Sequence, residues 1–211
     1  MSSGSRWSIE KEAQHDLADY INGLPGFTLF KDRRPPGERA YGALLTDAIL
    51  QAGLNYERVV HPRALRVRDV YPKAATTSGF LNVLEVRGYP EVLQWKDALK
   101  PDRVKRLATF FQDQNVETVE ELQKWVGQPQ SRKELLAING VGPKTADYIA
   151  WLAGIPVVAV DRHITRFCAE AGIVKRNFKK AARDAAVELG VDEGCLDYSI
   201  WFYMSRRGKL G

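Results

Sequence analysis

Cysteine is scarce in this sequence, with only Cys168 and Cys195 among 211 residues. Two cysteines cannot supply a four-cysteine zinc site or hold an iron–sulfur cluster. We therefore expect two buried, reduced thiols, no metal site and no iron–sulfur cluster.

Long apolar runs are also missing. The longest, such as residues 155–160, are too short to cross a membrane. The opening MSSGSRW contains no apolar segment of the kind that a secretory signal needs. We expect no membrane partner, and a cytoplasmic, nucleoid-associated location, or a nuclear one if the source is eukaryotic.

The composition suits a folded domain that binds a polyanion. Hydrophobic residues make up 45% of the chain, which is enough for one domain, or for two lobes that share a cleft. The formal net charge is +5 and the sequence pI is about 9.2, which favours a polyanionic partner. We expect a monomer.

Strand signals are sparse, and most segments predict amphipathic helices separated by glycine and proline. We expect a first helix over Ser8–Asn22 with Ser8 as its N-cap, and a buried helix in AYGALLTDAILQAGL. A helix over Pro101–Gln114 and one with Thr118 as N-cap and Glu121 in a capping box follow. PKAATTSG predicts a loop. The fold class is therefore all-α, with about ten helices.

A glycine-rich hairpin lies within SRKELLAINGVGPKTADYIAWL. Gly140 and Gly142 permit positive φ and let another chain approach the backbone, and Pro143 suits the first turn of the following helix. Free amides at that helix N-terminus can face a phosphate oxygen. A single Gly-x-Gly would equally suit a plain turn between two helices.

Lys144 in this hairpin and Asp161 in VVAVDRHITR complete a pattern that resembles the helix-hairpin-helix/Gly-Pro-Asp superfamily of DNA glycosylases. The resemblance is strong over about residues 131–170 and weaker over most of the chain. It implies two helical lobes with a DNA-binding cleft: a central lobe over roughly 40–150 with the hairpin at 131–153, and a second lobe from 1–39 plus 154–211.

The resemblance also assigns residues to the DNA backbone. It implies that Gly140, Val141, Gly142 and Thr145 bind the backbone of double-stranded DNA that carries a damaged or mismatched base. We expect no cofactor, although family members often hold a monovalent cation on the hairpin carbonyls.

Family members with lysine at the position of Lys144 typically remove a base and then cleave the strand at the abasic site. The resemblance thus implies a base-excision-repair glycosylase with AP-lyase activity. Lys144 would be the nucleophile, and Asp161 would stabilise the cationic sugar. Simpler roles exist for both residues, a phosphate-contacting or solvated lysine and a helix N-cap aspartate.

A base in a duplex must be flipped out before it reaches such a site. Gln51, Asn55 and Tyr56 are our candidates for the wedge, at the end of the apolar helix. A plain polar helix end is their alternative role. Many family members carry glutamine where this chain has Ala52, one residue after Gln51, which is a departure from the pattern.

Aromatic residues near the C-terminus are candidates for a base pocket. Trp201 is the main one, together with Trp151, Phe202 and Tyr203, and packing in the core is the alternative role for each.

The C-terminal region departs from the endonuclease III-like members, many of which bind a four-iron cluster through four cysteines there. Here VDEGCLDYSIWFYMSRRGKLG has one cysteine, and its aromatic and basic ending resembles the compact archaeal-type 8-oxoguanine glycosylases. Basic residues are concentrated over 161–183, which favours either a phosphate-facing surface or a solvated helix face. We expect His163 to pack or cap locally.

Three other functions stay open on the sequence. They are a non-catalytic helix-hairpin-helix DNA-binding module, a helical scaffold for protein partners and a monofunctional mismatch glycosylase. The lesion is open as well: oxidised pyrimidine, 8-oxoguanine, alkylated purine, or mismatched thymine or uracil.

Overall fold

A computed structural model describes residues 16–31, 40–158 and 160–207. The structure is 70% helical, and these three ranges contain no strand, which confirms the all-α prediction. The described chain forms twelve α-helices: α1 Leu17–Asn22, α2 Tyr41–Leu50, α3 His61–Val70, α4 Thr77–Arg87, α5 Tyr89–Val92, α6 Leu99–Asp113, α7 Val119–Val126, α8 Ser131–Ala137, α9 Pro143–Leu152, α10 Arg162–Glu170, α11 Phe178–Glu188 and α12 Glu193–Arg207.

Three short turns of other helix types connect these elements. Tyr56–Val60 is a π-helical turn that runs directly into α3, and Pro72–Ala75 and Lys175–Asn177 are 3₁₀ turns. Single π turns are rare and are often found at functional sites. This π turn begins at Tyr56, the last residue of the predicted wedge segment.

Local capping explains where several helices begin. Thr118 and Glu121 form the predicted capping box of α7, so that prediction is confirmed. The N-cap of α1 is Asp16, whose carboxylate accepts from the amide of Ala18 at 2.8 Å. The predicted helix over Ser8–Asn22 is therefore not continuous, because Asp16 has an extended backbone and α1 begins at Leu17. Ser8, the predicted N-cap, lies outside the described residues.

Two predicted boundaries are wrong. Helix α6 begins at Leu99, so Pro101 is inside its first turn rather than at its first position. The first turn accepts proline anywhere that the amide has no helical partner. PKAATTSG is not a loop, because a 3₁₀ turn is followed by α4, where Thr76 caps the amide of Gly79 at 3.1 Å.

The larger of two hydrophobic cores draws its buried residues from positions 40 to 153. Helix α2 is at its centre, and all ten of its residues are buried. A helix that is mostly apolar around its circumference must be covered on every side, and α3, α6 and α9 pack against it.

The smaller core combines residues 17–21 with residues 158–204. Helix α10 packs on α12, and α1 packs on α11. Phe167 is fully buried here, with Tyr20 edge-on at a ring distance of 5.4 Å.

The two cores meet where α9 contacts α12. A Cβ built on Gly194 would lie 1.6 Å from Nε1 of Trp151, so the indole occupies the space that a side chain at this position would need. Only glycine fits at residue 194 with α9 in this place. Within the described ranges, every helix is too short or too polar to cross a membrane.

Candidate functional site

The hairpin between α8 and α9 is closed by its own backbone. The amide of Val141 donates to the carbonyl of Ile138 at 3.0 Å. Gly140 has φ +95°, a region that favours glycine, and a Cβ there would lie 2.7 Å from the side chain of Arg103. The fold itself therefore requires glycine at residue 140.

Gly142 differs from Gly140. Its φ is −93°, so this residue does not use the positive φ that glycine permits. A Cβ on Gly142 would have no heavy atom within 4 Å, and Gly142 is the N-cap of α9 without any side-chain cap. Glycine at this position leaves the backbone and the first amides of α9 open to an approaching molecule.

The other two predicted backbone-binding residues face inward. Val141 and Thr145 are both buried, at 6% and 7% exposure. Only their backbone atoms can therefore take part in binding at the hairpin surface.

Two arginines of α6 support the hairpin. Arg106 donates through Nη1 to the carbonyl of Asn139 at 3.0 Å, and Arg103 packs against Gly140. The hairpin carbonyls of Ile138 and Asn139 thus already accept protein donors. Sequence reasoning missed both arginines, because they precede the hairpin by more than 30 positions.

Lys144 and Asp161 form an ion pair between α9 and α10. Nζ of Lys144 lies 3.1 Å from Oδ2 of Asp161, across 17 positions of sequence. The lysine side chain is 40% exposed and the aspartate side chain 14%, so solvent reaches the pair from the lysine side. The sequence pattern pointed to this pair, and the structure brings the two residues into contact.

The second oxygen of Asp161 has a separate partner. Oδ1 accepts from the amides of His163 at 2.7 Å and Ile164 at 3.1 Å, which confirms the predicted N-cap of α10. Burial lowers the pKa of the neighbouring His163, although the negative charge of Asp161 acts in the opposite direction. One carboxylate therefore both caps a helix and pairs with a lysine.

A second carboxylate lies nearby in the larger core. Asp47, on α2, is fully buried, and it accepts from the hydroxyls of Tyr56 at 2.9 Å and Tyr148 at 3.0 Å. Tyr148 is one helical turn beyond Lys144 on α9. Burial, and next the charge of Asp47, raise the pKa of Tyr148 well above its usual value. Sequence reasoning missed Asp47, although it is the single charge in an apolar helix.

The predicted wedge segment is tied to the protein at both ends. Lys100 donates to three carbonyls at the end of α2, the nearest being that of Ala52 at 2.8 Å. Burial, followed by the charge of Arg103, lowers the pKa of Lys100. Asn55 caps the π turn by accepting from the amide of Arg58 at 2.9 Å. Gln51 follows α2 as its C-cap.

Among the aromatic candidates, Trp201 of α12 meets Tyr56 of the π turn, with ring centroids 6.4 Å apart. Trp201 also stacks on Tyr198 at 5.4 Å, and Trp151 stacks on Tyr148 at 5.5 Å. Phe202 and Tyr203 instead contact aromatic rings from residues 27–30.

The basic segment over 161–183 is more neutralised than its sequence indicates. Acids from outside it pair with Lys179, Lys180 and Arg183, and Glu170 pairs with Arg166. The remaining three have no acidic partner in the described part of the chain: Arg162, Lys175 and Arg176.

One of these acids is buried. Asp147 on α9 is 5% exposed and accepts from Arg132 of α8 at 2.9 Å and from Lys179 of α11 at 2.5 Å. It therefore holds the hairpin helices against the smaller core.

Both cysteines are buried, reduced thiols, as the sequence predicts. Burial raises the pKa of Cys168 to about 11. In residues 16–31, 40–158 and 160–207, the side chains of His, Cys, Asp and Glu do not gather in threes in a way that could hold a metal ion.

These observations define an all-α protein whose two cores are joined by ion pairs on α9. The chain belongs to the family described as Domain of unknown function (DUF8548), whose model matches residues 63–205. The match includes the hairpin, Lys144 and Asp161 and leaves out α2 with Asp47. A comparison with curated proteins found no match.

Proposed function

We propose that this protein is a DNA glycosylase with AP-lyase activity, in which Lys144 is the nucleophile. The observation that carries the proposal is the 3.1 Å contact between Nζ of Lys144 and Oδ2 of Asp161. An amine and a carboxylate side by side, partly open to solvent, are what attack on a sugar carbon and stabilisation of its positive charge require.

The hairpin supports duplex DNA as the substrate. Gly142 leaves the N-terminus of α9 uncovered, and amides at a helix N-terminus attract phosphate. Arg103 and Arg106 add two guanidinium groups beside the same turn. We interpret α8, the turn and α9 as a helix-hairpin-helix that grips the DNA backbone.

The two hydrophobic cores support two lobes. Lys144 belongs to the helix that covers the larger core and Asp161 to a helix of the smaller core. A cleft between the lobes would bring the sugar of a flipped nucleotide to both residues. Tyr56 and Trp201, which meet across the same boundary, would form the wall that receives the base.

The reaction follows from these positions. Asp161 takes a proton from Lys144, and the neutral amine attacks C1′ of the sugar. The new nitrogen–C1′ bond forms as the glycosidic bond breaks, and the base leaves with that electron pair and takes up a proton. The nitrogen loses a further proton, and the sugar ring opens to a Schiff base. Loss of a C2′ proton then expels the 3′ phosphate.

Borohydride trapping tests this proposal. Wild-type protein is incubated with duplexes that carry one abasic site, or one lesion from a panel of oxidised pyrimidine, 8-oxoguanine, alkylated purine and mismatched thymine or uracil. We expect a stable protein–DNA adduct with wild type and none with Lys144→Ala, while duplex binding persists. Lys124→Ala, an exposed lysine of α7, is the matched control and should form the adduct at the wild-type rate.

The uncovered hairpin by itself also favours a simpler function, a non-catalytic DNA-binding module. The same experiment separates the two. Wild-type protein that binds every duplex, releases no base and forms no adduct would be such a module. An adduct of normal yield with Lys144→Ala would instead remove Lys144 as the nucleophile.

A further inference from the structure

Asp47 is a buried carboxylate with a phenol on each oxygen. It is fully buried, Oδ1 accepts from Tyr148 at 3.0 Å and Oδ2 accepts from Tyr56 at 2.9 Å. A carboxylate is costly to bury unless hydrogen bonds replace its water. The neighbouring Thr46 bonds within its own helix by donating to the carbonyl of Gly42 at 2.7 Å. Asp47 instead connects separate segments.

The two phenols belong to the two halves of the candidate site. Tyr148 is four residues after Lys144 on α9, and residues at this spacing share one face of a helix. Tyr56 opens the π turn directly after Asn55, and its ring meets Trp201 of α12. A single carboxylate thus joins the helix of the nucleophile to the segment that faces the smaller core.

The contacts of Tyr56 fix its ring. Its hydroxyl is bonded to Asp47, one face stacks on His61 at 5.7 Å, and Trp201 lies edge-on. A side chain held on three sides is suited to form a rigid wall and poorly suited to swing into a duplex. The wedge role among our sequence candidates therefore falls to Gln51 and Asn55.

The burial of Asp47 favours lasting hydrogen bonds to Tyr56 and Tyr148. The raised pKa of Tyr148 keeps its hydroxyl protonated, so it remains a donor to Asp47 at all physiological pH values. Asp47 is fully buried and the two tyrosines are half-buried. Such a carboxylate fixes one arrangement of the elements it joins, because any shift leaves it buried without its hydrogen bonds.

We infer that Asp47 is a positioning residue that sets Lys144 and Tyr56 relative to one another, through Tyr148 and its own bond to Tyr56. The inference rests on the proposed glycosylase function. Asp47 does not touch DNA. Its bond to Tyr148 fixes how α9 sits on α2, and its bond to Tyr56 fixes the wall against which a flipped base rests.

Two conservative variants test this role. Tyr56→Phe and Tyr148→Phe each remove one hydroxyl and keep the ring. Tyr89→Phe is the matched control, because Tyr89 packs on the same core and its hydroxyl has no partner among residues that the structure describes. For each protein, adduct formation at a preformed abasic site and single-turnover excision of the lesion that wild type prefers are measured, alongside melting.

The two variants should differ in which step they slow. Tyr56→Phe should slow base excision about tenfold and leave adduct formation at an abasic site unchanged, because no base has to be received there. Tyr148→Phe should slow both about tenfold, since small misplacements of a reacting group cost this much or more. The double variant should lose less than the product of the single losses, because both act through one carboxylate.

If these hydroxyls only stabilised the fold, their removal would lower the melting temperature. Adduct formation and base excision would then either fall in the same proportion or both stay unchanged. Wild-type rates of adduct formation in Tyr148→Phe would overturn the inference, and this result needs no knowledge of the lesion. Equal excision by Tyr56→Phe and wild type would also overturn it. Wild-type protein without any adduct at an abasic site would overturn the proposed function itself, which separates the two failures.

Discussion

Two ion-paired aspartates join α9 to the helices of the smaller core, and they differ in what each carboxylate holds. Asp147 has two cations, Arg132 and Lys179, and its side chain is 6% exposed. Asp161 has one, Lys144, and gives its other oxygen to the cap of α10. A carboxylate between two cations serves to hold helices together. In the one-to-one pair, which solvent reaches from the lysine side, the proposed function requires Asp161 to take a proton from Lys144.

The largest expected effect comes from removing the charge of Asp161. Asp161→Asn keeps an oxygen that can cap α10 and should lower base excision by orders of magnitude with little change in melting. Asp161→Ala should add a loss of about 1 kcal/mol in stability, the usual value of an N-cap. Single-turnover excision and melting curves on the three proteins check this. If Asp161→Asn excised bases at the wild-type rate, Asp161 would act only as the N-cap of α10.

Breaking the other pair should affect stability first. Asp147→Ala removes the acceptor of two charged donors and should cost about 2 kcal/mol, because hydrogen bonds to charged groups are worth about 1.5–3 kcal/mol. The folded variant should still form a borohydride adduct through Lys144. Asp184→Ala is the control, since its exposed pair with Lys180 should contribute about 0.5 kcal/mol or less. Equal denaturation midpoints for Asp147→Ala and Asp184→Ala would contradict a stabilising role of Asp147.

The two hairpin glycines should also differ in their contribution to stability, by a smaller amount than the two aspartates. Gly140→Ala should cost about 1–2 kcal/mol, because its φ of +95° and the contact with Arg103 both oppose a side chain. Gly142→Ala should stay within about 0.5 kcal/mol of wild type. Bulkier Gly142→Val should weaken binding to all duplexes alike, since phosphate contacts carry no base information. Loss of affinity for one lesion type alone would mean that the hairpin reads bases.

The smallest effect concerns His163, beside the Lys144–Asp161 pair. Burial puts its folded pKa below the ordinary value of about 6.5, so the unfolded chain binds the proton more readily. Stability should therefore fall as the pH drops from above 6.5 through the folded pKa. His163→Gln should flatten that part of the melting-against-pH curve, and His61→Gln serves as the comparison. If His163→Gln left the melting-against-pH curve unchanged, His163 would not contribute to the dependence of stability on pH.

Local rules explain what the sequence could predict. The capping box of α7, the cap of α10 and the buried α2 each depend on residues within one or two turns of each other. The errors at Pro101 and in PKAATTSG concern boundaries, where neighbouring positions in the first turn are almost equivalent in energy.

Contacts between distant segments could not be predicted in the same way. Tyr148 and Asp47 are 101 positions apart, and Lys179 and Asp147 are 32 apart. No spacing rule links such residues, because packing of whole helices decides which side chains meet. The conformation of Gly142 could not be predicted either, because glycine is compatible with almost any φ and its presence does not specify one.

The contact between Trp151 and Gly194 sets how closely α9 and α12 approach each other. Helix α9 carries Lys144 near one end and Trp151 near the other, while Gly194 lies at the start of α12. One added methyl group at residue 194 would push the indole aside and with it the helix that sets the gap to Asp161. If the proposed function holds, a variant at this glycine would lose activity with Lys144 and Asp161 both intact, because the distance between their helices would have changed.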